Sequence, residues 1–198
     1  MLSFSLAVFL LMATPGPGVL SVAAVGSGFG LRTGLRYMLG LMIGSNIVAA
    51  MVFSGAAALV LADPALRLIL TLASAGYLLW LAVRLSLAGA QIGFAAADRA
   101  PGVFGGLLFQ LVNLKAYLVY LALFSGFAFM PESPTQEGAV KFLLINAIWL
   151  PLHAGWLGLG IGLRRLAPKP HQQRWINRVM AVALLAAVLL TLWVQPQA

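Results

Sequence analysis

Long apolar runs separated by short polar links fill the chain from end to end. A helix needs about 20 apolar residues to cross a hydrocarbon layer. By that ruler the sequence holds six spans, at about 3–28, 38–62, 66–90, 103–129, 139–163 and 176–194. Turn residues and charges write the links: "LRTGLR", "ADPALR", "GFAAADRAPG", "MPESPTQEG" and "RRLAPKPHQQR". All are short, so no catalytic domain outside the membrane is expected, and 1–198 reads as one transmembrane domain. The first run is expected to be a retained helix rather than a leader. It lacks a basic start, its apolar stretch is too long, and no cleavage site precedes a soluble body.

Composition sharpens this picture. Of 198 residues 62% are hydrophobic and 8% charged, whereas soluble domains carry roughly 25% charge. The net charge of +8 would suggest nucleic acid in a soluble protein. Here the basic residues sit between apolar spans, so they speak of membrane topology and no nucleic-acid partner is expected. The first, third and fifth links and their flanks carry Arg32, Arg36, Arg84, Arg99, Arg164, Arg165, Lys169, Arg174 and Arg178, against Arg67 and Lys141 for the second and fourth. Lys and Arg mark the cytoplasmic side, so both termini are expected outside. Cysteine is absent, which excludes disulfides, thiolate metal ligands and a thiol nucleophile.

Six helices divide into three and three, and repeats with an odd helix count must be inverted relative to one another. Two coincidences agree. Pro15 and the Asn113 of "NLK" lie 98 residues apart, and Asn46 and Asn146 lie 100 apart. The expected fold is therefore an all-α integral membrane protein of six transmembrane helices, a 3+3 inverted-topology repeat with a broken first helix.

The break is written in "ATPGPG" at 13–18. Proline has no N–H and clashes with the carbonyl four residues back, so Pro15 and Pro17 free the carbonyls of Leu11 and Ala13. Thr14 and Gly16 precede prolines and are pushed out of helical geometry, while Gly18 tolerates what remains. Polar backbone of this kind cannot face lipid and must be buried or line a wet cavity. The first half-helix would end on free carbonyls and the second begin on free amides near Gly16, Gly18 and Val19. Such a pair can hold an ammonium and a carboxylate. A proline kink that only shapes packing is the alternative.

Few other side chains in the spans carry chemistry. Lys115 lies mid-span, too far from either end to snorkel, and should face carbonyls, Asn113 or a bound anion. A structural lysine bonded to a neighbouring helix's broken end is the other reading. His153 follows Pro151, which is a candidate second break in the fifth span; it suits proton coupling or a neutral core role bonded to a carbonyl. Asn46 and Asn146 are either interhelical glue or ligands. Trp80, Trp149, Trp156 and Trp193 fit interfacial belts. "GSGFG" at 26–30 lacks the Lys-Ser/Thr of a phosphate loop, and helix packing through small residues accounts for it. The acids Asp63, Asp98, Glu132 and Glu137 all fall in links. No catalytic constellation, cofactor motif or metal-ligand cluster appears, and an enzyme is not expected. Without an intramembrane carboxylate, a second cargo ammonium would find no partner, which favours a neutral over a dibasic amino acid.

Taken in order, "ATPGPGVLSVAAVGSGFGLRTGLRYMLGLMIG", "AGYLLWLAVRL", "FGGLLFQLVNLKAYLVYLALF" and "RWINRVMAVALLAAVLL" resemble the lysine exporter (LysE/RhtB) family of bacterial amino-acid exporters. The likeness covers nearly the whole chain. It implies secondary export of amino acids or related metabolites from the bacterial inner membrane, driven by the proton gradient or membrane potential. By position, Pro15, Gly16, Pro17 and Gly18 match the first family motif, and Asn113 and Lys115 the second. Leu114 stands where the family usually has Pro, which removes the covalent reason for a break in the fourth helix. The resemblance further implies homodimers through glycine-rich faces. In the transport reading the cargo sits between the first and fourth helices, and Lys115, His153 or the cargo's own charge carries the coupling. The competing reading is a non-transporting membrane scaffold or assembly partner.

Overall fold

A computed structural model describes residues 1–87, 100–166 and 169–193. The expected span ends at 90 and 194, Asp98 and Arg99, and part of the fifth link lie outside the described residues. The order is α1 (Leu2–Ala13), α2 (Pro17–Phe29), α3 (Leu31–Phe53), α4 (Ala56–Ala62), α5 (Pro64–Leu87), α6 (Val103–Val112), α7 (Leu114–Gly126), α8 (Pro134–Leu166) and α9 (Pro170–Trp193). No strand occurs among the described residues. Helices α2, α5, α8 and α9 each open on a proline, whose missing N–H costs nothing in a first turn.

Helices α3, α5 and α8 are long and apolar enough to cross a membrane. Two bent pairs raise that number to as many as five: α1 with α2, at 52°, and α6 with α7, at 65°. The second span differs from its expected 38–62. It starts at Leu31, because nothing in "LRTGLR" stops a helix, and it ends at Phe53. Gly55, at φ 82°, then turns the chain left-handed into the separate α4, a backbone state glycine adopts without steric cost. Pro151 makes no second break; α8 runs through it from 134 to 166. A lone proline on an exposed face bends a helix without opening it. The fourth helix does break at Asn113, although Leu114 replaces proline.

Glycines set the closest approaches. A Cβ on Gly40 would strike the Val103 carbonyl, and one on Gly106 the Tyr37 carbonyl, so α3 and α6 meet backbone to backbone. Gly160 lies likewise against the Ala23 carbonyl, seating α8 on α2.

The bundle has two distinct ends. At one, Gln173 Nε2 donates to the Ser27 carbonyl at 3.4 Å, and Arg164 lies against Gly30. At the other, Phe4 packs on Phe127 and Phe129 with ring centroids 6.0 and 5.7 Å apart. There Phe53 also meets Phe124 and Phe142, at 5.6 and 6.2 Å. Lys141 is buried at this second end, 2.8 Å from Glu137.

Candidate functional site

Both helix breaks open on one cavity. Before the first break, Thr14 adopts φ −57°, ψ 122°, the extended geometry that a following proline imposes. Gly16, at φ −155° and ψ 176°, caps the start of α2. At the second break Asn113, at φ −76° and ψ 92°, is both the C-cap of α6 and the N-cap of α7. Two helix N-termini, each with unpaired amides and a partly positive end, thus sit beside the same hollow. Its volume is about 60 Å³, room for a few waters.

Lys115 enters the first break. Its Nζ donates to the Thr14 carbonyl at 3.4 Å, rather than to the carbonyls of Leu11 or Ala13 that the prolines free. A Cβ on Gly16 would lie 2.5 Å from Nζ and 3.2 Å from Cδ of Lys115, so the bare glycine makes room for the ammonium. The bond is long, and two of the three ammonium protons have no partner among the described residues, so most of its donor capacity is uncommitted.

A polar relay lines the opposite wall. Asn113 Nδ2 donates to Gln110 Oε1 at 3.3 Å, and Gln110 Nε2 donates to Ser45 Oγ at 3.3 Å. Ser45 Oγ in turn is hydrogen-bonded to Tyr120 OH. His153 completes the wall: its Nδ1 lies 3.0 Å from the Trp149 carbonyl, and its ring stacks on Trp149 at 3.7 Å and 13°. Trp149 is therefore a buried cavity residue, 3% exposed, and not the belt residue its position in the span suggested.

Of the residues singled out from sequence, Gly16, Gly18, Asn113, Lys115 and His153 meet at this cavity. Pro15 and Pro17 shape its break. Asn46 and Asn146 lie apart from it, joined to each other by reciprocal amide bonds of 2.9 and 2.8 Å. Each also donates to the carbonyl one turn back, Met42 and Phe142 at 2.9 Å. Sequence reasoning passed over Ser45, Gln110 and Tyr120. A usable signal was Gln110 itself, a mid-span amide three residues before Asn113 and so on the same helix face. Among the described residues no group of His, Asp and Glu is placed to hold a metal ion.

Comparison with known proteins gives a consistent neighbourhood. A family model described as LysE type translocator matches residues 9–192. A leucine efflux protein of Enterobacter sp. (strain 638) is 28% identical over 154 residues, which cover 72% of this chain and 69% of that protein. A leucine efflux protein of Salmonella typhimurium is 31% identical over 147 residues, 72% of this chain and 68% of its own. A cysteine/O-acetylserine efflux protein of the same species is 28% identical over 135 residues, 68% of each chain. No solved structure matches.

Proposed function

The chain belongs to the LysE type translocator family, and from that membership we propose that it is a secondary transporter. It exports amino acids or related small metabolites across the bacterial inner membrane, driven by the proton gradient or membrane potential. One observation carries this reading: two broken helices present their N-termini, with Lys115 between them, to a single cavity. Half-helix ends facing an interior cavity are the means by which membrane proteins bind charged cargo without lipid-exposed polar backbone. The leucine and cysteine/O-acetylserine exporters among the relatives handle cargo with one carboxylate and one ammonium.

In this reading residues 1–198 form one transmembrane domain of six spans. Helices α1 with α2, α3, α5, α6 with α7, α8 and α9 cross in turn, and both termini lie outside. One broken helix in each half and the Asn46–Asn146 pair support a 3+3 inverted repeat. The break at 15–18 reads the cargo's amine and carboxylate, and Lys115, Asn113 and the amides following Asn113 assist the carboxylate. Among the described residues no acid lines the cavity, which favours a neutral over a dibasic amino acid. His153 and Lys115 are the cavity groups able to carry a coupling proton.

Proteoliposomes loaded with labelled L-leucine test the proposal. The wild-type chain is expected to release label faster than empty vesicles, and Lys115→Met to release it no faster, while inserting normally. Release equal to the wild type by that variant removes Lys115 from the mechanism, and no release by the wild type for any of a panel of labelled amino acids points to a scaffold.

A further inference from the structure

We infer that two neutral acceptors, His153 Nε2 and Gln110 Oε1, read the cargo's ammonium group at a spot directly over Gly18. The inference rests on the amino-acid-export reading and assigns the half of the zwitterion that Lys115 does not address.

Three lines of geometry meet there. A carbonyl oxygen only accepts, so the contact to Trp149 places the proton of a neutral His153 on Nδ1 and leaves Nε2 an open lone pair. His153 is 6% exposed, stacked in place by Trp149, and its Nε2 has no hydrogen-bond partner among the described residues. Gln110, also 6% exposed, is oriented at both ends. Its Nε2 is committed to Ser45 and its Oε1 takes one proton from Asn113, which leaves a second lone pair on that oxygen.

These atoms converge on Gly18. A Cβ there would lie 3.9 Å from His153 Nε2 and 4.0 Å from both Gln110 Oε1 and Asn113 Nδ2, so glycine keeps open a space edged by two acceptors and by an amide that already donates to Gln110. A buried group that answers two acceptors and offers several donors is an ammonium, which has three donors and no lone pair. A carboxylate placed there would meet both of these lone pairs, whereas Lys115 offers it donors that the long bond to Thr14 leaves uncommitted. The cargo is thereby oriented, amine toward α2, α6 and α8, and carboxylate toward the Lys115 side.

Binding to the purified chain in lipid nanodiscs decides this, with two probes: L-leucine, and 4-methylpentanoate, the same skeleton without the amine. The wild type is expected to prefer leucine. His153→Ala and Gln110→Met should each weaken leucine about tenfold, the scale of one hydrogen bond to a charged group, and leave 4-methylpentanoate within about twofold. His153→Gln, which retains an acceptor, should recover part of the loss. Retained binding of the amine-free probe also certifies that each variant is folded. An unchanged preference in both variants overturns the inference, as does equal loss of both probes, which would make the two residues mere supports of the cavity. If the wild type binds neither probe nor any other amino acid, the export reading itself fails first.

Discussion

Two lysines, Lys115 and Lys141, stand within apolar helices, and their surroundings differ sharply. Lys141 is fully occupied: its ammonium is 2.8 Å from Glu137, donates to the Phe124 carbonyl at 3.1 Å, and lies 5.6–5.7 Å from the ring centroids of Phe4, Phe124 and Phe129. Glu137 also accepts the backbone N–H groups of Phe129 and Met130, so the pair pins the 127–133 turn to α8. Among the described residues Lys115 makes only its long bond to Thr14, which in the proposed reading leaves donors for cargo. A buried pair loses most when one partner is removed and the other charge stays behind. Glu137→Gln is therefore expected to lower the unfolding temperature in detergent, and adding Lys141→Met to recover part of the loss. A double variant no more stable than the single one would show that the buried ammonium is not the penalty. Lys141 also marks a limit of reading charge from sequence. It entered the topology as a surface cation, because neither the aromatic rings around it nor its fourth-residue partner is distinguishable from an ordinary link.

At the scale of elements, the two breaks illustrate which structural causes are written covalently. Pro15 and Pro17 dictate the first through missing donors and ring clashes, and "ATPGPG" could be read as a break without coordinates. The second has no proline. Asn113 makes it by leaving helical angles and beginning a new helix, and Leu114 gave no warning. Pro151 errs in the other direction, a proline whose helix survives it. Residue identity predicts a break where backbone chemistry forces one and fails where packing around a permissive residue decides. The family's usual proline should therefore fit at 114. Asn113 already has the extended geometry a proline requires of its predecessor, and position 114 is the first of α7, where no intrahelical donor is lost. Leu114→Pro is expected to insert and export within a few-fold of the wild type. Leu118→Pro, on an exposed face in the interior of the same helix, should cost about 3 kcal/mol or more and lower both yield and unfolding temperature. Equal damage from the two substitutions would mean that α6 and α7 act as one continuous helix.

At the scale of the whole molecule, the cavity has use only if its two sides can be told apart, and the distribution of charge is what does so. The described basic residues outside the spans gather mainly at the end where Arg164 lies against Gly30 and Gln173 meets Ser27. The other end is lined by phenylalanines and the spent charge of Lys141 around a hollow of about 380 Å³. That contrast was legible in the links, because the rule of positive charge inside depends on counting residues and not on their contacts. Of the polar relay only Gln110 was legible, because the single hydroxyls of Ser45 and Tyr120 in apolar helices look like any others until their neighbours are known. The orientation can be measured cleanly, since the chain has no cysteine and any thiol introduced is unique. Glu132→Cys, exposed in the fourth link, is expected to react with a membrane-impermeant maleimide on intact spheroplasts. Gln172→Cys, exposed at the start of α9, should react only after permeabilisation. The opposite pattern would invert the molecule and turn the Phe4–Lys141 end toward the cytoplasm.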